Sequence, residues 1–79
     1  MSPVKAKYRT IIDKVEVKQL KHDRDITLNN MEVEFSLMAL ERACETEGPL
    51  TSGERTMYNR HFKVLEEALN KMEAKNELQ

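Results

Sequence analysis

Between Asn30 and Glu47 the apolar residues recur on two helical stripes rather than one. Met31, Phe35, Met38 and Ala39 make the first, and Val33, Leu37, Leu40 and Cys44 the second. Steps of three and four residues put each set on one face of an α-helix. A small domain has little core in which to bury two faces of one helix. Some of this surface is therefore expected to meet a second element, and some another chain.

The start of that helix is written in Leu28-Asn29-Asn30-Met31-Glu32-Val33. Asn29 is expected to cap it, with Glu32 reaching back to the cap and Leu28 and Val33 forming a hydrophobic staple. Gly48 and Pro49 end it. Thr51-Ser52-Gly53-Glu54 then repeats the capping logic with Thr51 and Glu54 as reciprocal partners. In the second helix Tyr58, Phe62, Leu65, Leu69 and Met72 form one continuous stripe, widened by Met57, Val64 and Ala68. Arg55, Asn59, Arg60, Lys63, Glu66, Glu67 and Lys71 occupy the other side. The short connection makes the two helices an antiparallel hairpin. Residues 29–47 and 51–74 are the two predicted helices, and 75–79 a frayed tail.

The first 28 residues carry two patterns. Val15-Glu16-Val17-Lys18 and Asp25-Ile26-Thr27-Leu28 alternate apolar with polar, and many residues are β-branched. That predicts a β-hairpin with strands near 9–20 and 24–28, and a turn at Lys21-His22-Asp23-Arg24. The expected fold is α+β: an N-terminal β-hairpin followed by an antiparallel α-helical hairpin. The rival reading is a three-helix bundle, since Val4, Tyr8, Ile11 and Val15 also fit helical spacing behind Ser2-Pro3. An exposed hairpin edge would invite pairing with another chain.

Seventy-nine residues make one small domain, and chains this short bury only about 60–65% of their unfolded surface. Oligomerisation is a common remedy, so a homodimer is expected. Cys44 is the sole cysteine, which excludes an internal disulfide and paired-cysteine zinc patterns. With no apolar stretch behind the basic start and no run near the ~20 residues of a membrane span, a cytoplasmic protein without membrane contact is expected. The net charge of -1 conceals an asymmetry. Residues 1–24 hold seven basic and three acidic side chains, and residues 25–79 six and eleven. Such a split marks a contact surface, mutual attraction of the two halves, or charge that simply keeps the protein in solution.

Candidate chemistry is sparse. Cys44 lies near a helix C-terminus among Glu41, Glu45 and Glu47, where a thiol's pKa rises, so it reads as a small core residue. His22 falls in a polar turn without a nucleophile. His61 has no metal ligand at helical spacing, and Tyr58 one turn away is its natural polar neighbour. The glutamates fall at caps or on polar faces, and no phosphate-cradling glycine loop occurs. No catalytic residue, metal or cofactor is expected. Lys14, Lys18, Lys21 and Arg24 are candidate nucleic-acid contacts if the hairpin enters a major groove, although a pI of about 6.1 is far from a basic reader's footprint. Five methionines suit either plain core filling or a surface that adapts to a partner.

The run Ile26-Thr27-Leu28, Asn29 to Glu32, Leu37-x-Ala39-Leu40-Glu41, Leu50-Thr51-x-x-Glu54-Arg55 and Leu65-Glu66-Glu67-Ala68-Leu69 resembles short bacterial and bacteriophage proteins with a strand hairpin before a helical hairpin. The likeness spans about residues 26–70 and brings no catalytic motif. It implies a protein that binds and redirects or inhibits a host protein. Together these readings predict a non-enzymatic, homodimeric interaction module that modulates another protein. Its expected anchors are Met31, Val33, Phe35, Leu37, Met38, Leu40, Met57 and Tyr58. The alternative is a small dimeric DNA-binding regulator that uses the basic hairpin.

Overall fold

The computed structural model describes residues 3–78, with side chains described for residues 3–74. Three helices follow one another: α1 (Pro3–Lys21), α2 (Met31–Glu45) and α3 (Ser52–Leu78). No strand occurs among the described residues. The fold is all-α, and the expected N-terminal β-hairpin is overturned. Residues 9–20, read as a strand, lie inside α1, and residues 24–28 form turns.

Burial explains the correction. Val15 and Val17 would share one face of a strand, but here Val15 is wholly buried and Val17 is 51% exposed. Tyr8, Ile11, Ile12 and Val15 are all buried from one side of α1, at the three-to-four-residue period of a helix. β-Branching lowers helix propensity by only a few tenths of a kcal/mol per residue, whereas burying each large apolar side chain stabilises by about 1.5–3 kcal/mol. The stripe therefore outweighs the propensity. After α1, the Thr27 amide donates to Asp25 Oδ1 at 2.8 Å, an Asx-type turn where the second strand was expected.

α2 and α3 pack as the expected antiparallel hairpin, and α1 lies against both. The core gathers Tyr8, Ile12 and Val15 from α1, Leu40 from α2, and Leu65 and Met72 from α3. Leu28, wholly buried, plugs the loop end of this core. At 27 residues α3 is about 40 Å long, which sets the 43 Å long dimension. It runs to Leu78, past the expected end at residue 74.

The caps hold the hairpin in register. Thr51 Oγ1 accepts the Glu54 amide at 3.1 Å and Glu54 Oε1 accepts the Thr51 amide at 3.0 Å, the reciprocal box that the sequence predicts. At α2 the cap shifts by one residue. Asn30, not Asn29, accepts the Val33 amide at 2.9 Å. Asn29 instead donates to the carbonyls of His22, Asp23 and Asp25 at 3.0, 3.1 and 3.0 Å, tying the preceding loop together. α2 stops at Glu45, where both the amide and the hydroxyl of Thr46 donate to the Arg42 carbonyl. Gly48 then turns the chain at φ +75°.

Candidate docking face

The two stripes of α2 separate cleanly. Val33, Leu37 and Leu40 are buried within the chain. Met31, Phe35 and Met38 face outward at 86%, 64% and 69% exposure. On α3 the sequence-predicted pair also divides: Tyr58 is buried, and Met57 is 47% exposed. Four of the eight expected anchors, Val33, Leu37, Leu40 and Tyr58, therefore belong to the internal core. The other four form an outward apolar face across the α2–α3 seam.

That face contains a groove lined by Phe35, Met38, Ala39 and Met57, with Arg42, Tyr58 and His61 as its polar members. Its floor is fixed by His61. The His61 ring lies 5.4 Å from the Phe35 ring, and its Nδ1 is 3.2 Å from Ser36 Oγ. Ser36 is buried on the α3-facing side of α2. A buried hydroxyl between two helices joins them rather than presenting a nucleophile to solvent. Tyr58, expected beside His61, turns inward toward Tyr8, with ring centroids 6.3 Å apart.

Farther along the seam, a second groove is lined by Ile26, Val33, Val64 and Ala68, with Glu32, Glu67 and Lys71 at its edge. Ile26 is 81% exposed and was not among the expected anchors.

Lys14, Lys18 and Lys21 do share one side of α1, at steps of four and three residues, and Arg24 follows in the turn. Their setting is of mixed charge. Lys14 and Lys18 border a groove together with Asp13 and Glu73, and Lys7 and Lys14 border another with Glu66 and Glu73. The Lys7 ammonium sits 4.2 Å from the Phe62 ring centroid, a cation–π contact. The basic first third thus lies alongside acidic positions of α3.

Burial pushes the Cys44 thiol above its ordinary value, against the opposing pull of Arg9 and Lys5. Its Sγ is 3.6 Å from the Lys5 carbonyl. Burial raises the Glu41 carboxyl, and the hydrogen bond and charge of Glu16 add to the rise. Among the described residues no group of three His, Cys, Asp or Glu side chains is placed to hold a metal ion. No described helix is long and apolar enough to cross a membrane.

No family model, curated protein or solved structure matches the chain. The strand hairpin implied by the resemblance to short bacterial and bacteriophage proteins does not occur among the described residues.

Proposed function

We propose that the protein is a non-enzymatic protein-interaction module that docks through the outward face of the α2–α3 hairpin and thereby modulates the chain it binds. The observation that carries this reading is the contiguous exposure of Met31, Phe35, Met38 and Met57. Large apolar side chains exposed singly are ordinary, but a clustered patch with a polar rim marks an interaction surface. Phenylalanine and methionine are enriched at interface centres. The rim here is supplied by Arg42, His61 and Glu32. The β-ribbon route to DNA has no strand among the described residues to carry it.

Capture on the tagged chain tests this reading, with Phe35→Asp and Met57→Asp variants as controls. The expected result is a protein recovered in the presence of nuclease and high salt, and lost with either variant. Equal recovery by both variants would remove the face from the function. Recovery that disappears with nuclease would point to nucleic acid instead.

A further inference from the structure

We propose that Met38, Met57 and His61 form a site for a soft monovalent cation, Cu(I), at the α2–α3 seam. The site goes beyond the docking reading and does not depend on it, because a cation can take these three side chains whether or not a partner uses the face.

The register of the hairpin brings the three donors together. Ser36 of α2 lies level with His61 of α3, since Ser36 Oγ is 3.2 Å from His61 Nδ1. The helices are antiparallel, so two residues onward along α2, at Met38, corresponds to two residues back along α3, at Asn59. Met38 therefore stands level with the midpoint between Met57 and His61. Met57 and His61 are themselves four residues apart on α3, so their side chains leave the same side of the helix one turn apart. All three line one groove, and Met38 and Met57 are exposed, which leaves their thioethers accessible. The sequence places no imidazole or carboxylate one turn from His61, but it places Met57 there.

His61 is held as a ligand needs to be. Its Nδ1 faces Ser36, which is buried inside the seam. Nε2, on the opposite edge of the ring, is the nitrogen left for the groove. A ligating imidazole characteristically has its other nitrogen fixed by a hydrogen bond of this kind. The Phe35 ring, 5.4 Å from the His61 ring, restrains it from the α2 side.

Chemistry selects the ion. Two thioethers and an imidazole are neutral donors. Thioethers favour Cu(I), whereas Ca²⁺ and Mg²⁺ require oxygen ligands. Zinc would want a set of His, Cys or carboxylate ligands, and no such set is placed among the described residues. No described carboxylate lines this groove, and Arg42 does. Its charge repels a divalent ion about twice as strongly as a monovalent one. Cys44 is the chain's competing soft ligand, but its Sγ is 3.6 Å from the Lys5 carbonyl of α1. It belongs to the α1 side of α2 and not to this groove.

The test is titration of the full chain with silver nitrate in chloride-free buffer, in the wild type and in Cys44→Ser. Ag(I) stands in for Cu(I) as an air-stable ion of the same charge and softness. Nuclear magnetic resonance follows the methionine methyls and the histidine rings. In Cys44→Ser a single equivalent should move the Met38 and Met57 methyls and the His61 ring together. Met31, exposed on α2 but outside the groove, should not move. The wild type should show the same shifts once its thiol is filled. Met38→Leu and Met57→Leu keep the volume, and His61→Gln removes the imidazole. Each should raise the Ag(I) dissociation constant by more than about tenfold, the lower end of what loss of a ligand's supporting contact costs. Met31→Leu should leave it unchanged. Cu(I), kept reduced under nitrogen and competed by a chromogenic chelator, should bind Cys44→Ser in the same ratio. Equal shifts at Met31 and Met38, uptake that requires Cys44, an affinity that ignores the three ligand replacements, or failure of Cu(I) to bind would each overturn the site.

Discussion

The Tyr8 hydroxyl donates to Asn59 Oδ1 at 2.7 Å, joining the first turns of α1 to the exposed side of α3. The Tyr8 ring meanwhile is wholly buried, with the Phe62 ring 6.1 Å away. One residue thus supplies both an apolar anchor and a polar fastening. Tyr8→Phe keeps the ring and removes the bond, so thermal unfolding should show a loss of about 1 kcal/mol. Tyr8→Ala also removes the ring and should cost about 3–5 kcal/mol. Burial raises the phenol above its ordinary 10.0, while Arg55 pulls it down. A raised acid means that the unfolded chain loses its proton first. The contribution of Tyr8 is therefore intact below pH 10.0 and declines as the pH climbs above it. Ultraviolet titration should find one tyrosine ionising later in the wild type, and Tyr8→Phe should abolish that late step.

The two glycines should respond oppositely to the same substitution. Gly48 holds φ +75°, and a Cβ there would meet nothing within 4 Å. The cost of Gly48→Ala is then conformational alone, roughly 1 kcal/mol. Gly53 lies in the first turn of α3, also in open space. Gly53→Ala should stabilise by about 0.5 kcal/mol, because it narrows the unfolded ensemble. Denaturant midpoints of the two variants should fall on opposite sides of the wild type.

Lys5 explains why the α2–α3 connection is placed so firmly. Its ammonium donates to the carbonyls of Thr46 and Gly48, the latter at 2.9 Å, where the end of α2 leaves acceptors unsatisfied and the helix dipole is negative. Lys5→Met keeps the stem and removes the donor. It should cost about 1.5–3 kcal/mol, the range for a hydrogen bond to a charged group. Hydrogen exchange should show faster exchange at the end of α2 than at its start.

Glu41 should oppose folding at neutral pH. Burial raises its carboxyl, Glu16 adds to the rise through a hydrogen bond and its charge, and Arg9 lowers it. The folded chain therefore holds this proton more tightly than the unfolded chain. Stability falls as the pH rises from the ordinary value of 4.5 through the folded value. Glu41→Gln should raise the melting temperature at pH 7. At a pH well below the ordinary carboxylate range, where both states are protonated, it should change little. An equal gain at both ends of the pH range would mean that ionisation is not the cause.

How much could be read in advance depended on how local the cause was. The Thr51–Glu54 box needs only residues three apart, and it forms as written. Asn29 and Asn30 are equally good caps by type. Only the loop, where the Asn29 side chain ties three carbonyls, decides between them. In α1 two local patterns competed, and the winner depended on Tyr8, Ile12 and Val15 finding partners across the chain. The choice between the stripes of α2 was less local still. Nothing in residues 30–47 says which side α1 will cover.

That choice now separates two substitutions that the sequence could not tell apart. Leu37 and Phe35 lie two residues apart on α2, and either could have been the internal anchor. Leu37 is 8% exposed and belongs to the core, whereas Phe35 stands on the outward face. Leu37→Asp buries a carboxylate without a partner and leaves the volume unfilled. Its cost should exceed about 3 kcal/mol, a large part of the stability of so small a domain. Circular dichroism should show loss of helix or a steep fall in melting temperature. Phe35→Asp exposes a charge where solvent already reaches, so melting should change by about 0.5 kcal/mol or less. Its effect should appear instead in association, as lost partner capture. If Phe35→Asp unfolds the chain while Leu37→Asp leaves it folded, the internal and external stripes of α2 have been assigned the wrong way round.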